Sequence, residues 1–85
     1  MVKMTFWDVA ELDLAMLNKT LRQAILESCR AIFDDWTIGK LLTGRLSKFR
    51  THRVGMYRIV YTVRKSSSIE IVAIGHRRDI YERMT

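Results

Sequence analysis

The chain has 85 residues, 48% of them hydrophobic and 28% charged, with a formal net charge of +6 at pH 7. That length allows one domain spanning residues 1–85, and the absence of proline and of low-complexity tracts argues against a disordered chain. No apolar run approaches the roughly 18 residues of a membrane span, no basic-then-apolar leader opens the chain, and a lone cysteine, Cys29, excludes an internal disulfide, so the expectation is a cytoplasmic protein with no membrane contact.

Residues 2–7 are short, apolar and flanked by polar residues, the pattern of a strand. Asp8 with Glu11 three residues later predicts an N-cap and capping box for a first helix ending near Leu17. Asn18 then punctuates the chain and is placed to cap a second helix over 19–33. Leu21, Ala24, Ile25, Ser28, Cys29 and Ile32 recur at spacings of three and four, so they form its inner stripe, with Arg22, Glu27 and Arg30 outside. Cys29 in that stripe reads as core packing. So short a joint predicts an antiparallel helical hairpin. Trp36 then reads as a lid on the core edge, and residues 38–48 as an exposed basic connector.

Three strands follow. Residues 49–54 form the first, Gly55-Met56 the turn, and residues 57–64 the second. A polar turn at 65–68 leads to the third strand at 69–74, which is apolar on both faces apart from Glu70 and therefore suits a central position. Gly75 ends it, and residues 77–84 form a short tail with a helical turn. The fold class is α+β: an N-terminal strand, a helical hairpin, and a three-stranded antiparallel sheet joined by the first strand. Alternation puts Tyr57, Ile59, Tyr61 and Val63 on the helix side and Arg58 on the other. That other face is expected to carry the cations, with Arg58 and Arg77 together.

Charge is uneven along the chain. Residues 1–44 hold five Lys or Arg against six Asp or Glu; residues 45–85 hold ten against three. A basic half beside a near-neutral half points to a polyanionic partner, nucleic acid or an acidic protein.

The run Arg53-Val54-Gly55-Met56-Tyr57-Arg58-Ile59-Val60-Tyr61, followed by Ile74-Gly75-His76-Arg77-Arg78-Asp79-Ile80-Tyr81, resembles the RelE/ParE superfamily of toxins. The stretch 41–46 resembles the segment that usually precedes it. The resemblance covers essentially the whole chain. It implies a RelE-like fold and a toxin neutralised by a cognate antitoxin in a hetero-oligomeric complex, without cofactor. RelE-like members cut messenger RNA in the ribosomal A site, whereas ParE-like members poison DNA gyrase and lack the nuclease residues. In the nucleases, the arginine corresponding to Arg58 binds the scissile phosphate, Arg77 corresponds to a second arginine, and Tyr81 to a tyrosine that stacks on a base or assists proton transfer. The lysines of those nucleases fall at Phe49 and Thr51 here, with Arg50 and His52 on the neighbouring positions.

RNA cleavage by its own 2′-hydroxyl needs a base, cations on the phosphate and an acid for the leaving oxygen. Arginine suits the cationic role, because its planar fork binds phosphate bidentately and stays charged. Arg58 and Arg77 are the leading candidates, with Arg53 next. An ordinary imidazole titrates near neutrality, which makes His52 a candidate base, while His76 beside Gly75 reads as structural. Tyr81 is placed to stack on an unstacked base or to pack on the core edge. Lys40, Arg45, Lys48 and Arg50 would contact backbone phosphates. Two histidines without a close set of acids or cysteines give no metal site. Three functions fit: a ribosome-dependent mRNA endonuclease, a gyrase-directed toxin of the same fold, and a nucleic-acid-binding module without catalysis.

Overall fold

The structure, a computed structural model, describes residues 2–65 and 67–84, the last of these in its backbone only. The expected turn at 65–68 lies partly outside them, at Ser66. In chain order the elements are β1 (Lys3–Phe6), α1 (Asp8–Ala15), α2 (Lys19–Asp34), β2 (Lys40–Leu41), β3 (Phe49–Val54), β4 (Tyr57–Arg64), β5 (Ser68–His76) and α3 (Ile80–Met84). Single 3₁₀ turns stand at Trp36–Ile38 and Gly44–Leu46. No helix among the described residues is long and apolar enough to cross a membrane.

The sheet has five strands in the order β1-β5-β4-β3-β2. β1 runs parallel to β5 and the other pairs are antiparallel. Sequence reading anticipates four of these strands. β2 is missed because two residues carry no period to read; it pairs Lys40 with Thr51 and Leu41 with Arg50 at the sheet edge. Gly55 turns the β3–β4 hairpin with φ of 60°, the left-handed conformation that a two-residue loop demands of its first position.

The helix ends show where local chemistry decides. Asn18 Oδ1 accepts the Leu21 N–H at 2.9 Å and caps α2, as its position predicts. Asp8 is not a cap. Trp7 is the N-cap, without a side-chain bond, and its carbonyl already accepts the Glu11 N–H at 3.0 Å. The helix therefore starts one residue early, and Asp8 and Glu11 sit in its first turn, opposite the positive end of its dipole. Arg22 is also corrected. Rather than facing outward, it is half-buried, and its guanidinium donates to the Leu14, Ala15 and Leu17 carbonyls at 3.2, 3.4 and 2.7 Å. One arginine thus bonds three carbonyls at the end of α1 and in the joint that follows it.

Two apolar clusters sandwich the sheet. On the helix side Ala10, Ile25, Cys29 and Ile32 meet Ile59, Tyr61, Ile69, Ile71 and Ile74, with Trp36 packed at the edge as expected. On the other side Phe49, Val60, Val72, Ala73 and Ile80 gather with Leu42, Leu46 and Tyr81. An irregularity allows both: Val60 pairs with Ala73 but Tyr61 with Ile71, so Val72 is an extra residue on β5. Ile71 and Ile74 then share the helix side although three apart, and β5 is covered on both faces as its composition predicts. The second face is consequently not the open cationic surface expected from alternation. α3 and the Leu42–Leu46 region cover much of it, because β5 and β4 place valines and alanine there, and the cations are confined to one end.

Candidate functional site

The β3–β4 register decides which side chains share that end. Arg53 faces Arg58, Thr51 faces Val60 and Phe49 faces Thr62 on the second face; Arg50 faces Tyr61, His52 faces Ile59 and Val54 faces Tyr57 on the helix side. A cleft of about 560 Å³ opens over the first set, with Thr51, Arg53 and Arg58 in its lining, the segment from Ile38 to Thr43 as one wall and Tyr81 from α3 as another. Lys40 adds a third cation, and the lining carries no carboxylate. The groups on offer are N–H and O–H donors, which suit an anion.

Arg58 is half-buried, and among the described residues its Nε has no hydrogen-bond partner; the buried Thr51 hydroxyl oxygen has none among them either. A buried polar group without a partner costs about 1–3 kcal/mol, a cost that a hydrogen-bonding atom entering the cleft would relieve. Arg53 is exposed, and its Nε–H donates to the Gly55 carbonyl at 3.2 Å, which steadies it beside the hairpin turn. Thr51 was not among the residues singled out from the sequence. Its spacing of two from Arg53 on one strand is the signal that locates it.

The wall segment is fixed from the helix side. The buried Tyr61 hydroxyl donates to the Trp36 carbonyl at 2.7 Å and accepts the Gly39 N–H at 2.9 Å. Burial pushes the Tyr61 pKa up, against the opposing pull of the Gly39 bond. Asp35 accepts the Thr37 hydroxyl at 2.6 Å and its N–H at 3.1 Å, and these bonds hold the Asp35 carboxyl below its ordinary range. Arg50 donates to the Gly39 carbonyl at 2.7 Å and lies 5.1 Å from the Trp36 ring. Lys40 follows directly and is delivered to the cleft.

The remaining sequence candidates are dispersed. Arg50 is spent on the wall. His52 belongs to the helix side by register, and it meets the cleft from the β3 edge beyond the end of β2. Arg77 is exposed outside the cleft lining; its N–H donates to the Met56 carbonyl at 2.9 Å and ties the turn after β5 to the β3–β4 hairpin. Arg45 is exposed in a 3₁₀ turn, and Lys48 lies 5.5 Å from the Phe49 ring; neither lines the cleft. His76 is structural, with Nδ1 accepting the Arg78 N–H at 3.2 Å and its ring edge-on to Tyr57 at 5.7 Å. Cys29 is buried in the core as expected. Among the described residues no three His, Cys, Asp or Glu group together to hold a metal ion.

A family model described as the ParE toxin of the type II toxin–antitoxin system matches residues 7–81. No curated protein matches the chain. In fold the chain is similar to a chain of the RelBE2 toxin–antitoxin complex from Mycobacterium tuberculosis, with 24% identity, a TM-score of 0.81, and coverage of 89% of this chain and 98% of that one. It is similar to a chain of the intact RelBE complex of E. coli at 17% identity and TM-score 0.76, covering 89% and 96%. The chromosomal ParDE system of P. aeruginosa gives 16%, 0.70, and the same coverages of 89% and 96%. At these identities the likeness is one of fold, and the fold is RelE-like.

Proposed function

The chain belongs to the ParE toxin family of type II toxin–antitoxin systems, within the RelE/ParE superfamily; from its cationic cleft, and not from that membership, we propose that it cleaves messenger RNA on the ribosome and is neutralised by a cognate antitoxin. The observation that carries this reading is the cleft in which Arg53 faces Arg58 beside Tyr81, with Arg58 Nε unpartnered. In the reaction, the 2′-hydroxyl gives its proton to water, its oxygen forms a bond to the adjacent phosphorus, and the bond to the 5′-oxygen breaks. The products are a 2′,3′-cyclic phosphate and a 5′-hydroxyl. Arg58, with Arg53, neutralises the charge that builds on the non-bridging oxygens. Thr51 and Lys40 hold the flanking backbone. Tyr81, whose ring also packs on the second apolar cluster, gives a proton to the leaving 5′-oxygen or stacks on the base.

The antitoxin of this reading is an acidic or amphipathic chain, as the charge of residues 45–85 favours, and it forms a hetero-oligomeric complex with affinity that falls with salt. The test is primer extension on translating ribosomes with purified protein. Wild type should create mRNA ends in the A-site codon, and Arg58→Ala should reduce them by about 10²–10³-fold. Growth arrest with no new ends would overturn the reading.

A second reading has its own observation. Phe49 and Thr51 occupy the strand positions where the resembling nucleases carry lysines, and Phe49 is buried in the second apolar cluster. That favours a gyrase-directed toxin without nuclease activity, for which a DNA supercoiling assay with purified gyrase is the direct measurement.

A further inference from the structure

A polar junction outside the cleft holds the last turn of the chain. β1 ends with Phe6 opposite Ile71, and the Trp7 N–H makes the last bond to the Ile71 carbonyl at 2.9 Å. Past that point β5 has lost its neighbour on this side. Asp13 of α1 replaces it: Oδ2 accepts the Ile74 N–H at 3.0 Å. The same oxygen accepts from Arg83 Nη2 at 3.0 Å, so one carboxylate joins α1, β5 and α3. α3 crosses close over Gly75, where a methyl group would lie 3.2 Å from Arg83 Nη1 and 3.1 Å from Ile80 Cδ1. Gly75 is the cross-strand neighbour of Arg58.

α3 has five residues and cannot hold a helix by itself. Ile80, fully buried, anchors its start in the second apolar cluster. With the Tyr81 ring packed on the same cluster, this holds the apolar side of α3. The Arg83–Asp13 pair adds a polar tie on the β5 side, from an exposed guanidinium to a carboxylate whose side chain is 17% exposed. Tyr81, in the cleft wall, stands between Ile80 and Arg83.

We infer that Asp13 is a positioning residue for the cleft: through Arg83 it seats α3 on β5 and fixes where Tyr81 stands relative to Arg58. The inference rests on the proposed function only for what Tyr81 does; the seat itself is a property of the fold. Asp13→Asn keeps an acceptor for Ile74 and removes the charge, and Arg83→Gln leaves the Ile74 bond untouched. Carbon–proton NMR of the tyrosine rings at low salt reads the seat, with Tyr57 and Tyr61 as controls. Both variants should shift or broaden the Tyr81 signals, leave the controls and the protection of the Ile74 amide in place, and give no larger effect combined. Unmoved Tyr81 signals in both variants, or effects that simply add, would overturn the inference. Should Asp13→Asn not fold, Arg83→Gln carries the same test. On ribosomes the turnover rate should fall roughly 10-fold with KM held. If wild type cleaves nothing, the proposed function fails while the NMR result still decides this inference.

Discussion

Arg53 and Arg58 stand directly opposite one another across the β3–β4 ladder, on the sheet face away from α1 and α2. Like charges in that relationship are unfavourable by about 0.2–1 kcal/mol, and Arg58 Nε is left without a partner besides. An anion between them removes both costs. Sulfate should therefore raise the thermal midpoint of wild type above that in chloride of equal ionic strength, and the increment should be lost in Arg58→Gln. In anion-poor buffer Arg58→Gln should match wild type within about 0.5 kcal/mol or exceed it. An equal sulfate increment in the two proteins would remove the cleft as an anion site.

By register His52 lies on the helix side with Ile59 and Val54, and it reaches the cleft lining only from the β3 edge, off the face of Arg53 and Arg58. A base must lie within hydrogen-bond reach of its proton. His52→Ala should accordingly keep ribosomal cleavage within about threefold of wild type, with an unchanged pH–rate profile. A loss of roughly 10²-fold with a flattened acidic limb would reinstate it as the base.

Tyr61 and Gly39 couple the core to the cleft wall. A methyl group on Gly39 would overlap the Tyr61 hydroxyl, and overpacking of this kind costs about 1–3 kcal/mol. Tyr61→Phe strands the Gly39 N–H and the Trp36 carbonyl, at about 1–3 kcal/mol each before any water reaches them. Urea unfolding should show both losses, and the Tyr61→Phe protein should also bind oligonucleotide more weakly, because Lys40 loses its fixed wall.

Arg22 closes α1 with three carbonyl contacts from one guanidinium. Arg22→Ala should cost about 1.5–3 kcal/mol, although the position lies outside the apolar stripe of α2 in the sequence. Arg22→Lys should recover only part, since an ammonium lacks the planar fork. Thermal unfolding of the three proteins is sufficient.

Burial pushes the Cys29 thiol from 9.0 up to about 11. Between those values the unfolded chain gives up its proton while the native thiol keeps it. The unfolded state then binds fewer protons, so stability falls as pH rises through this window and is fully present below pH 9. The loss amounts to roughly 2–3 kcal/mol. Denaturant unfolding at pH 8 and pH 11 should show that difference in wild type beyond any in Cys29→Ala.

What could be read from the chain alone is what the backbone enforces over a few residues. The two-residue period set the alternation of β3 and β4, the 3.6-residue period set the Ile25–Cys29–Ile32 stripe, and Asn18 and Gly55 announced a cap and a turn through their own side-chain chemistry or lack of it. Arg58 stands on the face away from the helices for that reason. The partner of each polar group was not legible, because a hydrogen bond is a property of two positions. Arg22 and Arg53 look alike in sequence, yet one closes a helix and the other lines a cleft. Arg50 and Arg53 differ by three places on one strand, and an odd offset alone sends them to opposite faces, which matters only once α3 and the second apolar cluster leave one end of a face open. The extra residue at Val72, the two-residue β2, and the Asp13–Arg83 contact across 70 positions follow from how the layers pack, and packing is settled only when the whole chain has closed on itself.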